Sequence, residues 1–309
     1  MIDGIKIMCA PLQGFTDYIW RNAHAQIFGG ADKYFTPFVR VEHGKILNRD
    51  LRDVASCNND KQLIVPQVLA SKPREVQLMV EMLRQEGYTS IDINLGCPFP
   101  PIALHHKGSG LLQYPQEVQE LFMMLSQYHD LTYSVKMRLG WEHDDEWEMI
   151  MPLFDIIRPA HITVHPRTGR EQYRGELHLQ QVEAMLKAAN YPIVFNGGIE
   201  SLADVERIKH KFPEVAGVMI GRSFIANPAL VNPEKLTKLN LKAFHDQLFN
   251  DYTFKLSGGT HQVLNKMKAF WELFLPDEDH KARKIIKKSL SLEKYECAVK
   301  MLFVNMDLG

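Results

Sequence analysis

Short runs rich in Ile, Val, Phe and Tyr recur along most of the chain, each followed by a stretch with helical periodicity. The runs predict eight buried strands, at residues 5–12, 33–40, 63–70, 90–97, 132–139, 160–167, 192–198 and 217–222. Helices are expected between them at 73–86, 115–128, 144–158, 177–190 and 201–212. The first of these opens at Pro73 and closes at Gly87, the proline-first, glycine-last asymmetry of helices. Ser201 followed by Asp204 predicts an N-cap with an acid in the first turn, where the helix dipole favours negative charge.

Eight strands alternating with helices predict an α/β protein of the (β/α)8 barrel type. A doubly wound sheet is the competitor, but it usually has fewer strands and no G-x-G-x-x-G follows any strand. The nearest run, Gly108-Ser109-Gly110, lacks the third glycine. After about residue 240 the strand signals stop, and Leu241 to Gly309 reads as amphipathic helices broken at Gly258-Gly259 and Pro276. The expected organisation is a catalytic barrel over 1–240 and an all-helical C-terminal domain over 241–309.

Composition narrows the class. Of 309 residues, 45% are hydrophobic and 24% charged, enough apolar material to offset the ordering entropy and to exclude disorder. No apolar run reaches the roughly 18 residues of a spanning helix, so no membrane partner is expected. The first residues, MIDGIKIMCAPLQG, lack the basic flank and apolar core of a signal peptide. Cys9, Cys57, Cys97 and Cys297 lie far apart, without metal or disulfide-framework spacing. A cytoplasmic monomer with free thiols and no metal is expected.

Candidate chemistry collects at one end of the strands. In a barrel the C-terminal strand ends form the active-site mouth. Strand ends here carry Pro11, Leu12 and Gln13; Gln67; Asn94 and Cys97; Lys136 and Arg138; His165 and Arg167; Asn196, Gly197 and Gly198; Gly221 and Arg222. Lys136, between Val135 and Met137, is either an outward lysine snorkelling past a helix or a cation aimed at an anion in the mouth. His165 is either a satisfied core histidine or a site group. The glycines after the seventh and eighth strands, with Arg222, suit a phosphate, although Gly-Gly is also common in turns. Cys97 is a buried structural cysteine or, as a thiol protonated at neutral pH, a proton donor or nucleophile. The Pro- and Gly-rich stretch after it resembles a lid.

Several of these segments resemble the signatures of the tRNA-dihydrouridine synthases. They are Ala10-Pro11-Leu12-Gln13-Gly14-Phe15-Thr16-Asp17, Asp92-Ile93-Asn94-Leu95-Gly96-Cys97-Pro98 and Val135-Lys136-Met137-Arg138-Leu139-Gly140-Trp141. Val164-His165-Pro166-Arg167-Thr168, Asn196-Gly197-Gly198-Ile199 and Met219-Ile220-Gly221-Arg222 complete the set, in order and spacing. The tail, with Lys266-Met267-Lys268-Ala269-Phe270-Trp271, resembles that family's RNA-binding domain.

The resemblance implies an FMN enzyme that reduces the C5–C6 double bond of uridine in tRNA, with NADPH or NADH as transient reductant. Cys97 would be the catalytic acid. Pro11, Leu12, Gln13, Gln67, Lys136, His165, Asn196, Gly197, Gly198, Gly221 and Arg222 would bind the cofactor. Asn94, Arg138, Arg167 and Tyr173 would meet the RNA substrate. One departure is Pro101, in the run Phe99-Pro100-Pro101, where the family usually carries a lysine. An FMN barrel oxidoreductase acting on another RNA, or on a small enone or pyrimidine, is the alternative; a non-catalytic RNA-binding protein on the same fold is a second.

Charge then sharpens the RNA expectation. The formal net charge of −1 argues against a protein that coats nucleic acid. Residues 241–309, however, hold 11 Lys and Arg against 9 Asp and Glu. Lys281, Arg283, Lys284, Lys287 and Lys288 fall together with no acid among them. That run is a solvated helix face or an RNA-contacting patch, with contact confined to one side of the molecule.

Overall fold

The computed structural model describes residues 4–307. Its strands are β1 (Lys6–Cys9), β2 (Lys33–Phe35), β3 (Val41–Glu42), β4 (Lys45–Ile46), β5 (Ile64–Val65) and β6 (Gln67–Leu69). They continue with β7 (Ser90–Leu95), β8 (Thr132–Arg138), β9 (Ile162–His165), β10 (Ile193–Asn196) and β11 (Gly217–Ile220). β3 and β4 form a small antiparallel hairpin. The other nine make one parallel sheet in the order β5-β2-β1-β11-β10-β9-β8-β7-β6.

The two ends of that order, β5 and β6, are separated in the chain only by Pro66. They are halves of a single strand, and the sheet closes on itself there. Pro66 has no N–H and interrupts the ladder; β5 pairs with β2 while β6 pairs with β7. Backbone bonds from Val39 N to Gln67 O (2.8 Å) and from Leu69 N to Val39 O (2.9 Å) knit the seam. Nine strands therefore fill the eight expected barrel positions.

Alternate residues of each strand face in or out. Met8, Ala10, Phe35, Val65, Val194 and Met219 form their own cluster inside the barrel, while Ile7, Cys9, Tyr34, Ile64, Phe195, Val218 and Ile220 belong to the larger core under the helices. On the β6–β9 side the interior is polar instead: Gln67, Asp92, Ser134 and Thr163 are all buried. One side of the barrel interior is thus apolar filling; on the other, Gln67, Asp92 and Ser134 hydrogen-bond to one another beneath the mouth, while Thr163 Oγ1 has no partner among the described residues.

Helices follow the predicted order at Pro73–Gln85, Pro115–Leu125, Leu179–Ala188 and Leu202–Lys211. Ser201 caps the last, accepting from Asp204 N. The stretch 144–158 is broken rather than continuous: Trp147–Ile150, a 3-10 turn at Met151–Leu153, then Phe154–Ile157. Pro152 supplies the break, because its ring cannot donate to the helical ladder. The loop after Cys97 folds as a helical turn, Pro100–Ala103, and a 3-10 segment, Gly108–Gln113. Gly108 N on Ala70 O (3.1 Å), Ser109 Oγ on Cys97 O (2.8 Å) and a Lys107–Glu75 ion pair (2.6 Å) pin it down. It forms an anchored shelf rather than a free lid. A Cβ at Gly110 would sit 1.9 Å from the Ala103 carbonyl, so the shelf admits only glycine there.

Four helices end the chain: Lys238–Lys255, Gly259–Leu273, His280–Lys288 and Leu292–Asn305. They pack on the barrel helix Tyr18–Ile27 through Phe244, whose ring lies edge-on to Trp20 (6.1 Å) and Phe28 (5.4 Å). One residue leaves the expected basic patch. Arg283 is buried, donating to the carbonyls of Phe274, Leu275 and Trp271, so its charge closes the interhelical turn. Lys281, Lys284, Lys287 and Lys288 remain exposed. Among the described residues, no helix is long and apolar enough to cross a membrane.

Candidate active site

A cavity of about 1190 Å3 opens at the C-terminal ends of the strands. That exceeds the roughly 300–1,000 Å3 typical of small-molecule sites. Every strand end named above contributes to its wall except one. Pro11, Leu12, Gln13, Asn94, Cys97, Lys136, Arg138, His165, Arg167, Tyr173, Asn196, Gly197, Gly198, Gly221 and Arg222 all line it. Gln67 does not reach the wall: it is fully buried, its Nε2 donating to Asp92 Oδ2 (2.6 Å) and its Oε1 accepting from Asn94 Nδ2 (2.7 Å).

Cys97 sits where β7 turns into the shelf. Its backbone N–H and that of Gly96 both donate to Asn94 Oδ1, at 2.8 and 3.0 Å, which fixes the turn. Burial pushes the Cys97 thiol above its usual range, against the opposing pull of the Phe99 N–H and of Arg138, Lys136 and Arg40. The thiol is therefore protonated at neutral pH, the state a proton donor needs.

Lys136 faces the cavity from β8 and makes no hydrogen bond or ion pair with any described residue. Burial, followed by the nearby Arg138 guanidinium, lowers it to about 8. Asp92 pulls the other way through space, but no described carboxylate lies within ion-pair distance of the amine, and a buried amine without such a contact is costly unless a ligand supplies one. His165 on β9 is driven well below its ordinary value by burial and by Arg138, Lys136, Arg167 and Arg222. It is neutral. Because Arg167 Nη1 can only donate, His165 Nε2 accepts that bond (3.0 Å) and the ring proton sits on Nδ1.

The end of β10 turns through Gly197 (φ +127°) and Gly198 (φ +62°). A Cβ at Gly197 would lie 2.9 Å from the His165 ring, so glycine there permits both the turn and the close approach. Asn196 Nδ2 donates to Met219 O (2.7 Å), tying β10 to β11. Arg222 makes no ion pair among the described residues and lies over the Tyr173 ring (4.6 Å), with Arg138 also near that ring (5.5 Å). Tyr173 is 49% exposed. Arg138 is almost wholly buried, donating to Gly96 O (3.1 Å) and Thr168 O (2.8 Å), so it braces the Cys97 turn as well as lining the wall.

The donor set suits a planar, anionic redox group such as FMN. Lys136 offers an unpaired amine and His165 an Nδ1–H. The glycine turns expose backbone, and Arg222 offers an unpaired guanidinium. Sequence reasoning missed several wall residues. Arg40, at the end of the second predicted strand, follows the same strand-end rule and was open to discovery. Phe99 is 58% exposed beside the thiol. Leu273, Leu275, Pro276, Asp277 and Glu278 close the wall from the tail, and no local pattern announces that contact.

The geometry agrees with what the chain is similar to. A family model described as dihydrouridine synthase matches residues 8–300. A probable tRNA-dihydrouridine synthase of Staphylococcus aureus (strain COL) is 30% identical over 259 residues, 79% of this chain and 77% of that protein. A probable tRNA-dihydrouridine synthase 2 of Bacillus subtilis is 28% identical over 259 residues, 79% and 78% of the two chains. Among solved structures, the old yellow enzyme from Trypanosoma cruzi superposes with a TM-score of 0.52 at 11% identity, over 78% of this chain and 88% of that one. Histamine dehydrogenase from Rhizobium sp. 4-9 gives 0.54 at 12% identity, over 86% of this chain and 49% of that one. Identity that low shows the barrel fold alone. The family match spans nearly the whole chain and includes the cavity wall, and by it this enzyme belongs to the dihydrouridine synthase family.

Proposed function

We propose that this enzyme reduces the C5–C6 double bond of particular uridines in tRNA to dihydrouridine, using FMN and, as transient reductant, NADPH or NADH. One observation carries the reading: a protonated Cys97 thiol shares a barrel mouth with the unpaired Lys136 amine and the glycine-bearing ends of β10 and β11. The names of the relatives support tRNA as the substrate.

When bound and reduced, FMN would supply hydride chemistry at C6 of the uracil. Lys136 and His165 would hold its ring system, together with the backbone at Pro11, Leu12 and Gln13. Asn196, Gly197, Gly198, Gly221 and Arg222 would hold its phosphate. Gln67 supports this wall from below, through Asn94. Cys97 Sγ gives its proton to C5, and the thiolate left behind meets the Phe99 N–H and the positive field of Arg138, Lys136 and Arg40.

Asn94 meets the uracil edge, while Arg138, Arg167 and Tyr173 face the flanking RNA. A uridine in folded RNA is swung out of its stack to enter. Reductant and RNA use the same face in turn, a double displacement that needs no separate dinucleotide fold. The helical segment 241–309 carries the remaining RNA contact, through the exposed lysines of His280–Lys288.

Cys97→Ala tests the assignment. The variant is expected to bind FMN and to accept electrons from NADPH as the wild type does, but to form dihydrouridine about 10²–10⁴-fold more slowly. Dihydrouridine formation at the wild-type rate removes Cys97 from the acid role. Mass-spectrometric mapping of dihydrouridine in RNA from cells lacking the gene identifies the position modified.

A further inference from the structure

Beneath the cavity a chain of hydrogen bonds runs from a buried carboxylate to the Cys97 backbone. Asp92, on β7, is fully buried and makes no ion pair among the described residues. Its oxygens accept from Ser134 Oγ (2.5 Å) and from Gln67 Nε2 (2.6 Å). Gln67 Oε1 then accepts from Asn94 Nδ2 (2.7 Å), and Asn94 Oδ1 accepts from Gly96 N (3.0 Å) and Cys97 N (2.8 Å).

The direction of every link follows from the first. An ionised carboxylate only accepts, so Gln67 must turn its amino end toward Asp92 and its carbonyl toward Asn94. Asn94 must in turn give an N–H to Gln67 and keep its oxygen for the two backbone donors. Both acceptor sites of Asn94 Oδ1 are then used. The one group of this side chain left without a partner among the described residues is the second Nδ2–H, on a residue that lines the cavity.

We propose that Asp92 is a positioning residue that sets the polarity of this relay, so that Asn94 presents a donor to the bound base and selects uracil over cytosine. The inference rests on uridine being the substrate. Uracil carries a carbonyl at C4 where cytosine carries an amino group. A fixed N–H pairs with the carbonyl and opposes the amino donor, and sites that leave buried polar groups unmatched discriminate strongly. The same relay holds the backbone that carries the thiol. Burial raises Asp92 to about 6, which leaves it ionised at neutral pH; Lys136 is the charged group acting on it.

The test uses FMN-loaded wild type, Asp92→Asn and Ser134→Ala, with a substrate tRNA and the same tRNA carrying cytidine at the target position. Asn at 92 nearly matches Asp in shape but can turn either end toward Gln67. Ser134→Ala leaves the carboxylate, and hence the polarity, in place. Asp92→Asn is expected to lower kcat for uridine about 10–100-fold. Its KM for tRNA and its FMN content should stay at wild-type values, and its preference for uridine over cytidine should shrink about tenfold. Ser134→Ala should keep the preference.

An unchanged preference in Asp92→Asn overturns the selectivity role, and a loss of activity that only tracks loss of FMN overturns the positioning role. A third measurement needs no RNA. Alkylation of Cys97 by iodoacetamide, followed by peptide mass mapping, should accelerate severalfold in Asp92→Asn, and an unchanged rate counts against the relay. Wild-type enzyme that forms no dihydrouridine would refute the proposed function on its own, and the alkylation measurement would still judge the relay.

Discussion

Lys136 is the residue whose chemistry depends most on where the fold puts it. In the sequence it is a lysine in an apolar run, open to two readings; in the barrel it lines the mouth with no carboxylate within ion-pair distance among the described residues, Asp92 acting on it only through space. Burial and then Arg138 bring it to about 8, so it is a cation below that pH and a neutral amine above it. Loss of the proton removes the charge that an anionic ring system would meet. FMN affinity of the apoprotein, followed by fluorescence quenching, should therefore fall as pH rises through about 8, and a bound anion should move that fall to higher pH. Lys136→Met should weaken binding about 10–100-fold, in line with the ~1.5–3 kcal/mol of a charge-assisted hydrogen bond, and flatten the pH dependence. Cys97, Asn94 and the glycines were legible as strand-end residues. The burial of Gln67 and Arg138 was not, because whether a polar side chain reaches a wall or a neighbour depends on register across strands.

Elements carry these residues to the site, and the segment after β9 shows how. It presents Arg167 and Tyr173 and is held by His178, which bridges Asp144 (2.7 Å) and Glu171 (2.8 Å). Burial alone would lower His178, but hydrogen bonds to Glu171 and Asp144 outweigh it and raise the imidazole above its usual value. The clamp is fully charged below the ordinary histidine range and weakens as pH rises through the raised value. All three groups are partly exposed, so the stability at stake is small, ~0–1 kcal/mol. His178→Ala should leave Tm and FMN content nearly unchanged while raising KM for tRNA severalfold, as steady-state kinetics at neutral pH would show. Apolar periodicity located all eight barrel positions. It missed the helix Tyr18–Ile27, whose start is made by Asp17 accepting from Trp20 N (3.1 Å), and it ran 144–158 straight through Pro152.

At the scale of the whole molecule, the larger hydrophobic core runs from the outer face of the barrel into the tail helices. Phe244 is its joint, packed among Trp20, His24 and Phe28 of the barrel and Phe270 and Phe274 of the tail. A polar joint lies beside it: Asp17 accepts from Tyr252 Oη (2.8 Å) and pairs with Lys266 (2.7 Å), which also donates to Gly14 O (2.7 Å). The tail is thereby fixed to the turn that follows β1 at the cavity wall. Phe244→Ala should cost ~3–5 kcal/mol, read as a lower midpoint in denaturant. A chain cut at residue 240 should be insoluble, since it leaves Trp20 and Phe28 uncovered. Thermal melting of the intact protein should be a single transition in which tail and barrel unfold together; two separate transitions would show that the shared core does not couple them.

The sequence by itself determined the fold class, the order of the elements, the end of the barrel where the cavity opens, and most of the strand-end residues that line it. These are local properties: strand period, proline and glycine punctuation, and the residue type at each strand end. Tertiary structure alone decided the closure of the sheet at Pro66, the polarity of the Asp92 relay, the withdrawal of Arg283 from the basic face and the part the tail plays in the cavity wall. Each depends on residues far apart in the chain meeting at hydrogen-bonding distance. Such contacts are set by register and packing, which no local window of sequence contains.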